Sequence, residues 1–154
     1  MLTVRRATPS DAVDMAPRLR EADLKEILAS GISSPEEALL VGIESPDPCY
    51  VAVDGDDRAQ IIFGTVPSHE HFLGYVWMMA TDAIKDNWVQ VLRGTKPWVN
   101  RIRGHYHVLA NAVHADNHIH IKWLRWAGFI FLREFKLNGS RFYEFAKLIP
   151  PEAH

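Results

Sequence analysis

Cysteine is nearly absent from this chain. Cys49 stands alone among 154 residues, so no internal disulfide can form and a reducing compartment is permitted. With no second thiol or metal motif around it, Cys49 reads as an ordinary strand-edge residue. Long apolar runs are missing too. None approaches the roughly 20 residues that span a bilayer, and no membrane partner is expected. The opening residues, MLTVRRATPSDA, have no apolar core of a secretion signal, and none is expected. There is no internal repeat and no low-complexity linker, so residues 1–154 are read as a single domain. A hydrophobic content of 47% excludes a disordered chain.

Charge is present but unevenly spread. Residues 1–84 carry 6 Lys/Arg and 14 Asp/Glu, and residues 85–154 carry 11 and 5. The halves are therefore oppositely charged, about −8 and +6, and sum to the net −2. Such asymmetry marks a nucleic-acid face or a self-association surface, or else acidic helices on one flank offsetting basic strands on the other. The near-neutral pI of about 6.4 argues against nucleic acid as the main partner.

Hydrophobic periodicity and turn signals give the element order. Leu2 to Ala7 reads as a strand. Thr8-Pro9-Ser10-Asp11 starts a helix with Ser10 or Asp11 as N-cap, and Pro17 breaks it into two pieces. Val13, Leu19, Leu24, Ile27 and Leu28 mark its apolar face, and Gly31 its end. Ser34-Pro35-Glu36-Glu37 starts a further helix that stops before Pro46. Tyr50–Val53 and Ala59–Val66 form a hairpin. Leu73–Ala80, LGYVWMMA, is an apolar run expected to be a central strand buried on both faces. Trp88, Val91, Leu92, Trp98, Val99 and Ile102 recur at helical spacing, with a split expected at Gly94 and Pro97 and Thr95 capping the second piece. Tyr106–Val113 is the next strand. Ile130–Lys136 and Arg141–Lys147 form a last hairpin across Asn138-Gly139, a strong turn signal.

The stretch Asn111–Phe129, NAVHADNHIHIKWLRWAGF, runs strand, Asn, helix, Gly-Phe and back to strand. With the element order around it, this resembles the Gcn5-related N-acetyltransferase (GNAT) fold over nearly the whole chain. The resemblance implies an α/β fold: a GNAT-like, mixed, twisted sheet of six to seven strands flanked by about four helices. It implies that the fourth and fifth strands splay apart, that the gap holds the pantetheine arm of acetyl-CoA, and that the next helix N-terminus holds the pyrophosphate. Met78, Met79, Ala80 and Asn117 are then the cofactor-binding positions if acetyl-CoA binds. Asn117 has a second reading as a helix cap.

The chemistry of that family is largely missing. A pyrophosphate loop needs glycines that leave its backbone N–H groups open. Thr81 to Leu92 contains no glycine and carries Asp82 and Asp86. The family's N-x-x-A-x-x-x-Y-x-x-x-G-F pattern, counted from Asn117, has His120 at its alanine and Leu124 at its proton-donating tyrosine; Gly128 and Phe129 match. The strand Leu73–Ala80 has no carboxylate to act as base. The remaining catalytic candidates are Asp82, also readable as a helix N-cap, and His120, whose unperturbed pKa suits proton transfer. His69/His71, His105/His107 and His118/His120 are each spaced His-x-His, but no carboxylate or cysteine completes a zinc pattern, and no metal is expected. Trp123 and Trp126, within Lys122-Trp123-Leu124-Arg125-Trp126, cannot both be central on the helix face that holds Leu124, so one is expected to be a partly exposed contact residue.

The run Trp77–Ile84, the Asn111-Ala112-Val113 strand, and Asn117 with Ile121–Phe129 narrow the resemblance. They look like a phage-encoded GNAT-like family of short-tailed bacteriophages that includes their small internal virion protein. That resemblance implies phage structural proteins or further copies of itself as partners, and the host cytoplasm and the virion as locations. The function expected is contact-driven, in virion assembly or as an internal virion protein. The alternative is an acetyl-CoA-dependent N-acetyltransferase modifying a host or phage protein.

Overall fold

The computed structural model describes residues 1–150. Thr3–Arg6 forms β1, followed by α1 (Pro9–Met15), a 3-10 turn at Ala16–Arg18, α2 (Glu21–Ala29) and α3 (Pro35–Ile43). Then come β2 (Cys49–Val53), β3 (Ala59–Pro67), β4 (Leu73–Ala80), α4 (Ala83–Asp86) and α5 (Trp88–Ile102). The chain closes with β5 (Val108–His114), α6 (His118–Trp126), β6 (Ile130–Leu137) and β7 (Ser140–Leu148). The strands make one mixed sheet of seven in the order β1-β2-β3-β4-β5-β7-β6. It matches the expected α/β architecture, with six helices among the described residues where about four were expected.

The local reasons are visible in the side chains. Thr8, not Ser10 or Asp11, occupies the N-cap of α1, and the Asp11 carboxylate accepts the Thr8 backbone N–H at 2.8 Å. Pro17 ends α1 as anticipated, leaving a 3-10 turn before α2. Ser34 caps α3, accepting the Glu37 N–H at 3.3 Å. Asn138 and Gly139, with φ of 50° and 80°, supply the left-handed pair that the β6–β7 hairpin turn requires.

α5 departs from the sequence expectation. It runs unbroken through Gly94 and Pro97, and the break falls earlier, at Asn87. Thr95 caps nothing: its hydroxyl donates to the Val91 carbonyl at 2.7 Å and accepts from the Trp123 indole at 2.8 Å. Burial of Thr95, Val99 and Ile102 on the sheet holds together a helix that an interior proline alone would weaken by roughly 3 kcal/mol.

Two apolar clusters lie on opposite faces of the sheet. Met15, Leu39, Val51 and Ile62 pack under α1 and α3. Ile61, Met78, Val99, Leu109 and Leu124 pack under α5 and α6. β4 is not buried on both faces: Gly74, Val76, Met78 and Ala80 are buried, whereas Tyr75 is 43% exposed. The open side of β4 faces a cleft because of how β4 and β5 pair. They run parallel over only Leu73↔Val108, Gly74↔Leu109 and Tyr75↔Ala110, then diverge.

Candidate functional site: the gap between β4 and β5

Diverging strands leave inward-pointing backbone groups without a ladder partner, and each must find one. At the start of the gap the Asn111 side chain donates to the Val76 carbonyl at 2.9 Å. Further along, Thr81 N–H turns outward to Gln60 of β3, so Ala80 points its N–H and C=O into the gap. Across from it, Ala115 N–H turns to Arg141 of β7, so His114 N–H points inward.

α2 fills these vacancies. Arg20 N–H donates to the Ala80 carbonyl at 2.9 Å, and Leu19 bridges Thr81 in antiparallel fashion. Asp23 accepts the Ala80 N–H at 2.9 Å, and Glu26 accepts the His114 N–H at 2.7 Å. One turn of one helix thus satisfies both lips of the gap. Asn117, fully buried, ties the pieces together. Its oxygen accepts from the Arg20 guanidinium at 2.6 Å, and its amide donates to Asp23 at 2.9 Å and Glu26 at 3.3 Å. His120 Nδ1 lies 3.4 Å from the same amide.

The charges inside the network balance. Arg20 faces Asp23 at 3.6 Å. Burial pushes the Glu26 carboxyl up to about 8, with the Asp23 charge adding to it and the His114 N–H and Asn117 opposing. Burial likewise holds the His120 imidazole below its usual value, so both groups are neutral near pH 7. Asp23, Glu26 and His120 place ligand-type atoms within 4.8 Å of one another. Those atoms already serve backbone N–H groups and Asn117, and Arg20 supplies the positive charge that a cation would bring.

A cleft of about 420 Å³ opens on one side of this network. Its walls come from α2, α3, β4 and the β6–β7 hairpin; Tyr75, Met78, Met79 and Asn111 line it, with Glu26 and His120 also on its wall. On the other side lies a polar cleft of about 510 Å³, lined by Arg20, Glu21, Lys25, Asp82, Lys85 and Asp116 among others. The network lies between the two, with Glu26 and His120 on one wall and Arg20 and Asn117 on the other.

The sequence-chosen residues are dispersed accordingly. Met78 packs in the core under α5 and, like Met79 and His120, lines the first cleft, and Ala80 has both backbone groups engaged by α2 and the residue before it. Asn117 stands at the N-cap of α6 but does not cap it with its side chain. Asp82 stands at the N-cap of α4, equally without a cap bond; its side chain is 77% exposed and lies 3.7 Å from Lys85. Leu124 is buried in the core, as structural as its apolar character suggests. Trp123 is buried and Trp126 is 53% exposed, so Trp126 is the exposed member of the pair. Cys49 is buried, and burial pushes its thiol up to about 12, leaving it inert.

Arg20, Asp23 and Glu26 escaped sequence reasoning. The available signal is three ionisable residues spaced by three on one helix face, beside the apolar positions Leu24, Ile27 and Leu28. The structure buries Asp23, Glu26 and Ile27 and leaves Leu28 52% exposed.

These residues do not fit acetyl-CoA. The gap's inward donors at Ala80 and His114 are taken by Asp23 and Glu26. Beyond β4 stands a four-residue helix that begins after Asp82 and ends at Asp86, not a glycine-rich cradle.

No family model matches this chain, and no curated protein matches it in sequence. Solved structures do match in three dimensions. An Ard1 structure from Thermoplasma volcanium superposes with a TM-score of 0.72 at 15% identity, covering 97% of this chain and 99% of that one. An acetyltransferase of the GNAT family from Streptococcus pneumoniae gives 0.65 at 18%, covering 97% and 100%. A GNAT-superfamily phosphinothricin acetyltransferase from Sinorhizobium meliloti, in complex with acetyl-CoA, gives 0.70 at 14%, covering 96% and 88%. The fold is that of the GNAT acetyltransferases.

Proposed function

We propose that this chain uses the acetyltransferase fold as a scaffold for protein contacts, in the assembly of a short-tailed bacteriophage particle or as a component inside it. One observation supports the contact reading above all: the gap is closed from within by Asp23 and Glu26. The phage setting rests on the sequence resemblance at Trp77–Ile84 and Ile121–Phe129. On this reading the partners are phage structural proteins or further copies of the chain, met in the host cytoplasm and in the particle.

A second reading is an acetyl-CoA-dependent N-acetyltransferase modifying a host or phage protein. The solved neighbours speak for it, and none of them speaks for a role in a particle. So does the cleft of about 420 Å³ that reaches Glu26 and His120. On that reading the α2 network must move aside before a cofactor enters.

Phage carrying variant genes separate the two. The contact reading expects Asp82→Ala and His120→Gln, each checked for folding by thermal melting, to give normal particles and plaques. It expects Trp126→Ala to reduce incorporation or infectivity. Folded His120→Gln protein that is incorporated normally yet leaves particles non-infectious would favour the enzyme.

A further inference from the structure

The sheet separates two helical layers of opposite charge. On one side α1–α3, residues 9–44, carry 8 Asp/Glu and 3 Lys/Arg. On the other, the span 88–126 that holds α5 and α6 carries 1 Asp/Glu and 6 Lys/Arg. With Glu26 neutral near pH 7, the layers carry about −4 and +5. The basic excess of the second half is thus concentrated in the α5–α6 layer, whereas the acidic excess of the first half is shared between α1–α3 and the strands and loops of residues 45–84, which carry 6 Asp/Glu and 1 Lys/Arg.

Each layer also exposes apolar side chains among its charges. On the basic side Trp126 and Val89 are 53% and 61% exposed. The Trp126 indole donates to the Leu92 carbonyl at 3.2 Å, which seats it beside Arg93. Arg93, Lys96 and Lys122 are exposed, and among the described residues none of them has a carboxylate within ion-pairing distance. On the acidic side, Glu37, Val41 and Glu44 are exposed at successive turns of α3, with Val41 62% exposed. An apolar centre flanked by charge of one sign is a surface that fits the opposite sign and rejects its own.

We propose that the α5–α6 face docks the α3 face of a second copy, stacking copies head to tail. The occupant is argued from charge complementarity: the layer that matches the basic face is carried by the same chain, on its opposite side. Two basic faces repel, as do two acidic ones, so a two-fold dimer through either face is disfavoured. The contact is heterologous and open-ended. It stands on the surface charges and holds whether or not the gap between β4 and β5 takes a cofactor.

Sedimentation velocity of the full chain tests it. Lowering the salt from about 0.15 M to about 0.01 M lengthens the Debye length from roughly 8 Å to roughly 30 Å. Oligomers growing with protein concentration are expected at low salt, with association at least about tenfold weaker at the higher salt. Arg93→Glu with Lys96→Glu sets two carboxylates beside Trp126 and cuts the charge of the basic layer from +5 to +1, and Glu37→Lys with Glu44→Lys flanks Val41 with two lysines and brings the acidic layer close to neutral. All four positions are exposed, and melting curves verify folding. Each variant alone is expected to be monomeric, and an equimolar mixture of the two to associate again. A wild-type monomer at both salts, association that survives charge reversal, or a mixture that stays monomeric would each overturn the proposal. So would binding of a labelled single-stranded oligonucleotide to the Arg93/Lys96 face without self-association, which would make a nucleic acid the occupant.

Discussion

Glu26 offers a sharp perturbation because its burial, its partners and its titration all point one way. In the folded chain its carboxyl is pushed up from 4.5 to about 8, whereas in the unfolded chain it returns to the ordinary value. Between those two values the folded protein binds more protons than the unfolded one. Stability therefore falls as pH rises through that window and levels off above about 8. At about 1.4 kcal/mol for each tenfold change, the whole window is worth about 5 kcal/mol, and the portion above pH 6 about 3 kcal/mol. For a chain of this size that portion corresponds to a melting temperature lower by roughly 6–12 °C. Glu26→Gln keeps an oxygen for the His114 N–H and removes the titration. Its baseline is lower, because its amide meets that of Asn117, but its curve should be flat where the wild type slopes. Melting curves from about pH 6 to about pH 9 give the comparison. Parallel curves for the two proteins would refute a neutral, buried Glu26, and with it the charge balance of the network.

Two further perturbations probe the same architecture. Asn117→Ala removes the group that joins Arg20, Asp23 and Glu26 and leaves each of them short of one buried hydrogen bond while the Arg20–Asp23 pair persists; chemical denaturation should show a loss of about 1–3 kcal/mol, and a loss under about 0.5 kcal/mol would mean that the network relaxes without it. Gly42→Ala would drive a Cβ into the Trp77 indole, so about 1–3 kcal/mol of destabilisation is expected in the same assay, and an unchanged midpoint would show that Trp77 is free to move.

The sequence carried the fold well because its strongest signals are local. Pro17 and Pro35, the Asn138-Gly139 turn and the apolar run Leu73–Ala80 each act over a few residues, and each stands where expected. Misjudged elements were those decided by tertiary demand. Pro97 should have broken α5, but burial of Thr95, Val99 and Ile102 on the sheet outweighed it. α2 shows the same effect more strongly. Periodicity favoured burying Leu28, yet the inward N–H groups of Ala80 and His114 required acceptors, and Asp23 and Glu26 rotated in to meet them. That requirement arises only once β4 and β5 diverge, about 60 and 90 residues further along the chain. Asn117 was legible as a position of interest but not as the centre of a network, since three of its partners lie in α2 or just before it. The exposed member of the Trp123/Trp126 pair needed the packing of α6 against α5 to be identified.

Calorimetric titration with acetyl-CoA and with CoA tests the closed gap most directly. If Asp23 and Glu26 occupy the donors that a pantetheine arm would need, and no glycine-rich turn offers itself to the pyrophosphate, binding should be weaker than about 1 mM, a free energy of less than about 4 kcal/mol in magnitude. A dissociation constant in the low-micromolar range, near −8 kcal/mol, would contradict the account and return the chain to the working acetyltransferases.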